Sequence, residues 1–365
     1  MNPATTLFLS TLAQPETASR RSLEEWDLLV RIAQVGSLAA RMHHLLGARG
    51  ALAQLPERVR QHLDSAETVS ARQHEMVRWE VAQIHRALYP RGIPIVLLKG
   101  AAYVMAGLPC AQGRLLADVD ILVPHAALPE TERSLLVNGW TAQGYDAYDQ
   151  AYYRKWMHEL PALTHVRRKS VLDVHHTILP PTAHLKPDAR KLLAAAVPIQ
   201  AHDDVYVLAP TDMVLHSATH LFHDGELEHG LRDLVDLDDL LRHFAANDPH
   251  FWPALVDRAY EMDLARPLFY GLRYAGYFLG TPVPETAMHA LARAAPARPL
   301  LPMVDAVFQR GLAPHHWSCD GWLSPTARWI LFVRSHHLRM PLRLLVPHLV
   351  RKAIRKRTAA TTPKV

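Results

Sequence analysis

Long apolar runs are missing from this sequence of 365 residues. No stretch approaches the ~20 consecutive apolar residues that a helix needs to cross a bilayer. The N-terminal residues MNPATTLFLSTLAQPE do not combine a charged segment with an apolar one, so we expect no signal peptide. Repeats of fixed period are also missing, and low-complexity sequence is confined to the terminal TAATTPKV. These absences argue against membrane-spanning and repeat architectures.

Cysteine is scarce, because only Cys110 and Cys319 occur in the chain. Two cysteines so far apart form neither a disulfide framework nor a four-ligand zinc site. We therefore expect a reducing, cytoplasmic compartment. Hydrophobic residues make up 49% and charged residues 21% of the chain, as in ordinary globular proteins, and the length allows two or three domains.

Positive charge is concentrated near the C-terminal end. The segment LRMPLRLLVPHLVRKAIRKR carries seven Lys or Arg and no acid, whereas the formal net charge of the whole chain is +5. The remainder is therefore near neutral, and its charge does not indicate a nucleic-acid groove across the protein. We predict that residues 341–365 form a basic tail that rests on an anionic membrane surface or on RNA, with a solvated terminal helix as the alternative.

Hydrophobic patterning divides the chain into helical regions around a short mixed core. Residues 1–90 have helical periodicity, and helical patterns return over residues 211–340. Between them, residues 91–210 contain short β-branched apolar runs, which predict buried strands, and helices between these strands. We therefore predict an α+β fold, with a small mixed sheet and helices, flanked by an N-terminal helical region and a C-terminal helical domain.

Two predicted strands and a hairpin define the core. IPIVLL begins at Ile93 and VDILV at Val119, and each reads as a buried strand. Strands in ELPALTHV and SVLDVHHTIL surround the turn at residues 167–170 and predict the hairpin.

Two aspartates stand where the second of these strands begins. Asp118 and Asp120 are two residues apart, so their side chains share one face of the strand at roughly 6.5–7 Å between Cα atoms. Carboxylates placed in this way share divalent ions such as Mg²⁺ or Mn²⁺ together with substrate phosphates. A pair of ions ~3.5–4 Å apart activates an attacking hydroxyl and stabilises a leaving pyrophosphate.

Asp173 is the candidate for a third metal ligand. It is an acid in the middle of the apolar strand SVLDVHHTIL, and a buried carboxylate requires a partner or a metal ion. We predict that Asp173 helps to remove the proton from the attacking hydroxyl. The alternative is a salt-bridged acid near the edge of the sheet.

Lys99 and Gly100 lie where the first strand turns into a helix. A small residue at this point lets a triphosphate approach the backbone, and the start of the helix adds oriented N–H groups. Lys99 supplies a point charge for the phosphates, and Arg114 supplies a guanidinium fork. The alternative is that both cations pair with the aspartates.

The order of these motifs resembles the uncharacterised nucleotidyltransferase family of the polymerase-β-like superfamily. Lys-Gly, an Arg, Asp-x-Asp before Ile-Leu-Val, a helix ending in Asn-Gly, and the acid of Val-Leu-Asp-Val-His-His follow one another over about residues 55–245. The superfamily usually begins with Gly-Gly or Gly-Ser, whereas this family has Lys-Gly. The resemblance implies a minimal nucleotidyltransferase fold, two divalent ions, and transfer of a nucleoside monophosphate from an NTP to an acceptor.

The acceptor is left open by the sequence, and a small molecule, a saccharide, a protein and RNA all remain candidates. A nucleotidyltransferase that acts on RNA ends, as related toxins do, is one alternative, supported by the basic tail. A catalytically degenerate nucleotide-binding or interaction module is the other. The intact Asp118 and Asp120 pair favours an enzyme.

Histidines cluster in two segments. His216, His220 and His223 fall on one predicted helix, where they hold a metal ion, line the substrate cleft or serve only packing. His175 and His176 are consecutive on a strand and therefore lie on opposite faces, so that one points toward the predicted third aspartate.

The segment LRDLVDLDDLL also has two interpretations. Arg232, Asp233 and Asp236 occur at helical spacing. They form either a solvated or salt-bridged helix face or the wall of the cleft opposite the metal site.

Overall fold

The computed structural model describes residues 2–142, 144, 147–199, 203–224 and 227–341. The basic tail, apart from its first residue, lies outside the described residues, together with the membrane or RNA contact predicted for it. No helix in the part of the chain that is described has the length and hydrophobicity to cross a membrane.

Helices occupy the N-terminal quarter of the chain. They are α1 (Pro3–Ala13), α2 (Leu23–Val35), α3 (Ala39–Ala48) and α4 (Glu57–Leu88). A capping box begins α2, because the Glu25 N–H donates to the Ser22 hydroxyl at 3.2 Å and the Ser22 N–H donates to the Glu25 carboxylate at 2.8 Å. After α4 and a short turn, Gly92 adopts a φ of 62° and directs the chain toward the sheet.

The core alternates strands and helices. Its elements are β1 (Ile95–Leu98), α5 (Lys99–Met105), β2 (Asp118–Leu122), α6 (Leu128–Val137), β3 (Trp140–Thr141), α7 (Ala147–Trp156), β4 (Leu163–His165), β5 (Val171–His175), α8 (Ala189–Ala194), β6 (Val197–Pro198) and β7 (Val205–Val207). Within the described residues the strands form one sheet in the order β3-β4-β5-β2-β1-β7-β6. β2 pairs antiparallel with β1 and parallel with β5, so the sheet is mixed, as the sequence predicts.

The predicted strands and hairpin are confirmed as β1, β2, β4 and β5, and β4 pairs antiparallel with β5 across the predicted turn. The strands that the sequence pattern missed, β3, β6 and β7, contain only two or three residues each. A period of two is not recognisable over so few residues. One of them is nevertheless central, because β7 pairs in parallel with β1.

Helices return after the sheet, as predicted. They are α9 (Pro210–Asp224), α10 (Gly230–Asn247), α11 (Phe251–Glu261), α12 (Ala265–Leu279), α13 (Glu285–Ala290), α14 (Leu301–Gly311) and α15 (Ser324–Arg339). α9 packs against α10, α12 and α15. Buried apolar side chains form one continuous core from Ala4 to Leu331. The predicted α+β fold with helical flanks is therefore confirmed.

The loop that leads into β2 is fixed against α3. The Arg41 guanidinium donates to the Pro109 carbonyl at 3.0 Å and forms an ion pair with Asp239 of α10. Gly113 has a φ of 68°, and a Cβ atom there would lie 2.5 Å from the backbone of Ala40. This close approach explains why glycine is required in the loop.

We expect Gly113→Ala to destabilise the protein more than Gly107→Ala. Gly107 has a similar φ of 64° but no atom near its missing Cβ, so both variants carry the left-handed backbone penalty and only Gly113→Ala adds a clash. The clash should cost a further ~1–3 kcal/mol of unfolding free energy. Urea unfolding of both variants measures this difference, and equal losses would contradict the packing of the loop on α3.

Candidate active site

The three predicted aspartates lie on two neighbouring strands at the centre of the sheet. In the parallel pair of β2 and β5, Asp120 lies directly opposite Asp173, and Asp118 is two residues earlier on β2. Paired residues on neighbouring strands point to the same face, as do residues two apart on one strand. Asp120 is 4% exposed, Asp173 is half-buried and Asp118 is exposed at the start of its strand. The sheet therefore presents all three carboxyl groups on one face.

Asp120 is held by two hydrogen bonds to the same oxygen. Lys99 Nζ donates to Oδ1 at 3.0 Å, and His175 Nε2 lies 2.9 Å from that atom. Burial acts to raise the pKa of Asp120, but the charges and hydrogen bonds of Lys99 and His175 hold it well below its usual range. Because both partners use Oδ1, Oδ2 is the oxygen that Asp120 offers to a bound ion.

The other two aspartates are compensated less completely, so their pKa values are raised. Partial desolvation and the charge of Asp120 raise the pKa of Asp118. Burial, followed by the charges of Asp120 and Glu159, raises the pKa of Asp173 to about 7. Mutual repulsion of this kind is relieved by a bound cation, and carboxylate oxygens are the donors that Mg²⁺ prefers.

The carboxylates have not converged around a single point. Among the described residues, the three aspartates do not form a group whose ligand atoms all lie within 4.8 Å of one another. Their residue types and shared face fit divalent ions, and ion binding would require the side chains to turn toward each other.

Lys99 occupies a left-handed backbone conformation with a φ of 47°. This conformation is uncommon for residues other than glycine and is often found at functional sites. It turns the chain from β1 into α5 directly beside Asp120, since Leu98 pairs with Asp120 across the two strands. Lys99 thus pairs with an aspartate, as the alternative interpretation of the sequence has it, and its contact with phosphates stays a prediction.

Gly100 is covered by the loop before β2. A Cβ atom at Gly100 would lie 2.1 Å from Leu116 Cδ2 and 2.7 Å from Arg114 Nη1. Packing of these side chains on α5 by itself requires glycine, and a backbone contact with triphosphate stays a prediction.

Arg114 is directed to α10 and pairs with acids of that helix. Its Nε donates to Asp236 Oδ2 at 2.6 Å, and its Nη2 lies 3.8 Å from Asp233 Oδ1. The guanidinium also lies over the Tyr103 ring, 5.7 Å from the centroid. A contact between Arg114 and phosphate stays a prediction that would require these ion pairs to be exchanged.

A cavity of about 590 Å³ lies between α9, α10 and α15. Its lining includes His220, Arg232, Asp233, His315 and the exposed indole of Trp329. Arg232 Nη2 lies 2.7 Å from Asp233 Oδ1, and the charge of Arg232 weakly opposes the rise in the pKa of Asp118. Arg232 is thus shared between the cavity wall and the ion pairs of α10.

The acidic face of α10 is salt-bridged, and its place as the wall of a cleft opposite the metal site stays a prediction. Asp236 is buried in its ion pair with Arg114, so this part of the face is salt-bridged, and it is not solvated. Arg232 and Asp233 line the cavity and form part of its wall.

The histidines of α9 have different environments. His216 and His223 are buried, whereas His220 lines the cavity. Burial and the charge of Lys99 lower the pKa of His216 well below its usual value, which favours its neutral form. Among the described residues, none of the α9 histidines belongs to a group of three possible metal ligands.

His175 and His176 lie on opposite faces, as predicted. His175 contacts Asp120, while His176 Nε2 lies 3.2 Å from the Met157 carbonyl and its ring packs edge-on against His125. The sequence analysis missed Glu159, which forms an isolated antiparallel bridge with His175. An acid at the start of the strand segment ELPALTHV was the only signal for it.

Comparison with known proteins supports the resemblance seen in the sequence. A family model described as an uncharacterised nucleotidyltransferase matches residues 22–280. The match begins just before α2, ends just after α12 and includes every strand of the sheet. No match was found among curated proteins or among solved structures.

The raised pKa of Asp173 makes stability depend on pH when divalent ions are removed. The pKa is about 7 in the folded protein against an ordinary 3.8, so the folded state binds this proton more tightly. The tighter proton binding adds to the free energy of unfolding. This contribution is fully present below about pH 4 and is lost as the pH rises through about 7. We expect Asp173→Asn to melt later than wild type at about pH 8.5 and to lose this advantage at about pH 4.

Thermal melts in EDTA across this pH range provide the measurement. Asp257→Asn, which removes an exposed acid of α11, serves as the matched control and should follow wild type. A pH-independent difference between Asp173→Asn and wild type would show that Asp173 is not destabilised by its acidic neighbours.

Proposed function

We propose, since the chain belongs to the uncharacterised nucleotidyltransferase family, that it transfers a nucleoside monophosphate from an NTP to a hydroxyl group of an acceptor. The observation that carries this proposal is the register of β2 and β5, which sets Asp120 opposite Asp173 with Asp118 on the same face. The reducing cytoplasm is the proposed compartment, and both cysteines are free thiols.

In this proposal Asp118, Asp120 and Asp173 hold two divalent ions, either Mg²⁺ or Mn²⁺. Bound ions of this kind supply charge neutralisation for the triphosphate and lower the pKa of the acceptor hydroxyl. Asp120 is positioned in advance, because its Oδ1 is fixed by Lys99 and His175. The role of these two neighbours is to keep Oδ2 directed toward the ions.

Asp173 is the proposed general base of this reaction. Its pKa of about 7 belongs to the protein without ions, and a cation beside it would keep the carboxylate ionised at neutral pH and so able to accept a proton. Its place opposite Asp120 brings it to the face where the acceptor hydroxyl has to approach. We assign to Asp173 the removal of the proton from that hydroxyl.

Lys99 is the proposed phosphate contact. Its ammonium neutralises Asp120 in the protein without ions. When divalent ions compensate the aspartates, the ammonium becomes available to the phosphate oxygens of the NTP, as a point charge on a flexible stem. Gly100 and Arg114 border the same turn, and we retain them as secondary candidates for this end of the nucleotide.

The acceptor is assigned to the cavity between α9, α10 and α15. Its volume of about 590 Å³ suits a small molecule, and its wall combines the Trp329 indole with charged groups such as Arg232. The charge of Arg232, which lines the cavity, opposes the rise in the pKa of Asp118, and this is the link between the cavity and the aspartates on which the assignment rests. A degenerate binding module would not need three carboxyl groups on one face of the sheet.

The experiment that tests this function incubates the protein with each labelled NTP, Mg²⁺ or Mn²⁺, and a cell extract, and then identifies the labelled product. We expect one product whose formation requires the divalent ion. Asp118→Asn should lower its formation by at least ~100-fold, as loss of a metal ligand and its charge implies. Asp118 is exposed, so the variant should fold normally.

Asp257→Asn, with an exposed acid removed from α11, is again the control and should keep full activity. Normal product formation by a folded Asp118→Asn protein would exclude the aspartates as the catalytic centre. Nucleotide binding without any labelled product, in the presence of both ions, would favour the degenerate module.

Lys99→Ala should weaken binding of a non-hydrolysable NTP analogue by about ten- to a hundredfold, because a charge-assisted hydrogen bond contributes roughly 1.5–3 kcal/mol. Calorimetry in saturating Mg²⁺ measures the dissociation constant. Lys191→Ala, which removes an ammonium from α8, is the control and should bind like wild type. An unchanged dissociation constant for Lys99→Ala would assign Lys99 a purely structural pairing with Asp120.

A further inference from the structure

A second group of potential metal ligands lies beside Asp120, on the segment that precedes β4. The Leu160 N–H donates to the Val174 carbonyl at 2.9 Å, and the His176 N–H donates to the His158 carbonyl at 2.9 Å. These two bonds flank the bridge between Glu159 and His175. A residue pair flanked in this way is the type in an antiparallel ladder that brings side chains closest together.

Three ligand atoms converge at this bridge. His175 Nδ1 lies 3.5 Å and His158 Nε2 lies 3.8 Å from the same oxygen, Oε2 of Glu159. All three residues offer ligand atoms within 4.8 Å of one another. Around Zn²⁺, bonds of about 2.0–2.2 Å in a tetrahedron set ligand atoms roughly 3.3–3.6 Å apart. The distances from the two nitrogens to Oε2 are therefore close to the spacing of ligand atoms around Zn²⁺.

The buried imidazole of His175 provides an independent indication of a ligand. Its side chain is 3% exposed, and among the described residues its Nδ1 has no hydrogen-bond partner, although Glu159 Oε2 lies 3.5 Å away. Its other nitrogen, Nε2, lies 2.9 Å from Asp120 Oδ1. A histidine that binds a metal through one ring nitrogen and donates the other N–H to a carboxylate is a recurrent arrangement in metal sites. This Nδ1 is the nitrogen that would face the ion.

We propose that His158, Glu159 and His175 bind one transition-metal ion of the Zn²⁺ type, separate from the divalent ions assigned to the aspartates. Two imidazoles and one carboxylate are ligands that Zn²⁺ accepts, whereas Mg²⁺ prefers oxygen alone. The bound ion fixes the tautomer of His175 with its proton on Nε2. It thereby stabilises the hydrogen bond that positions Asp120.

The site can be tested without any nucleotide, so the result does not depend on the proposed transferase activity. Protein without an affinity tag is treated with chelator and titrated with Co²⁺ or Zn²⁺ in excess Mg²⁺, which saturates all-oxygen sites. We expect one ion per chain, with the visible absorption of tetrahedral Co²⁺. X-ray absorption at the zinc edge should show two imidazole ligands.

His158→Ala and Glu159→Gln should each weaken Zn²⁺ binding by at least ~100-fold. Loss of a group that hydrogen-bonds to a metal ligand already lowers metal affinity by about 10- to 100-fold, and loss of the ligand itself should lower it at least as much. His176→Ala is the matched control. It removes the imidazole that follows His175 in the chain and lies on the opposite face. Asp118→Asn is the second control. Both control variants should bind Zn²⁺ like wild type.

Unchanged Zn²⁺ affinity in His158→Ala and Glu159→Gln would overturn the proposal. An X-ray absorption spectrum of the wild-type protein that shows oxygen ligands only would also overturn it. This measurement does not depend on whether the variants fold. Absence of stoichiometric binding would also overturn it, and would leave Glu159 and His175 as a simple ion pair.

Discussion

The parallel pairing of β2 with β5 is the constraint on which the rest of the site depends. It sets Asp120 opposite Asp173 in the middle of a sheet, where two carboxyl groups repel each other and are poorly hydrated. The chain compensates only one of them, through Lys99 and His175. The result without bound ions is an asymmetry, with one acid held ionised and one with a raised pKa.

The neighbouring strands supply this compensation through their register. Leu98 pairs with Asp120, so the residue that follows it, Lys99, has to leave β1 beside the carboxylate. Its left-handed backbone is strain that the surrounding packing has to support. On the other side, β5 carries His175 two residues after Asp173 and therefore on the same face. The lysine at the start of α5 and the histidine at the end of β5 thus reach one oxygen from opposite sides of β2.

The flanking helices take part in the site as well as in the core. Arg114, in the loop before β2, is anchored by Asp236 of α10, and Arg41 of α3 is anchored by Asp239 of the same helix. These buried pairs join the N-terminal helices, the loop and α10, so a displacement of either flank would move the start of β2. The family match over residues 22–280 agrees with this, because it includes both helices.

The sequence by itself determined the features that follow from local periodicity. Two acids at a spacing of two, an acid within an apolar strand and a hairpin turn sufficed to predict Asp118, Asp120, Asp173 and the strands around them. The shared face of the three carboxyl groups also followed, once the strands were assumed to be neighbours. The two flanking helical regions were equally readable, because their apolar residues recur at helical spacing over many turns.

Only the tertiary structure decided which partners these residues have. Arg114 was predicted at the phosphates, yet its ion pair is with Asp236, which lies 122 residues away along the chain. The pairing of Glu159 with His175 and the place of β7 beside β1 were equally invisible in the sequence. The physical reason is that periodicity reports the direction of a side chain on its own element, whereas pairing depends on which distant elements pack against it.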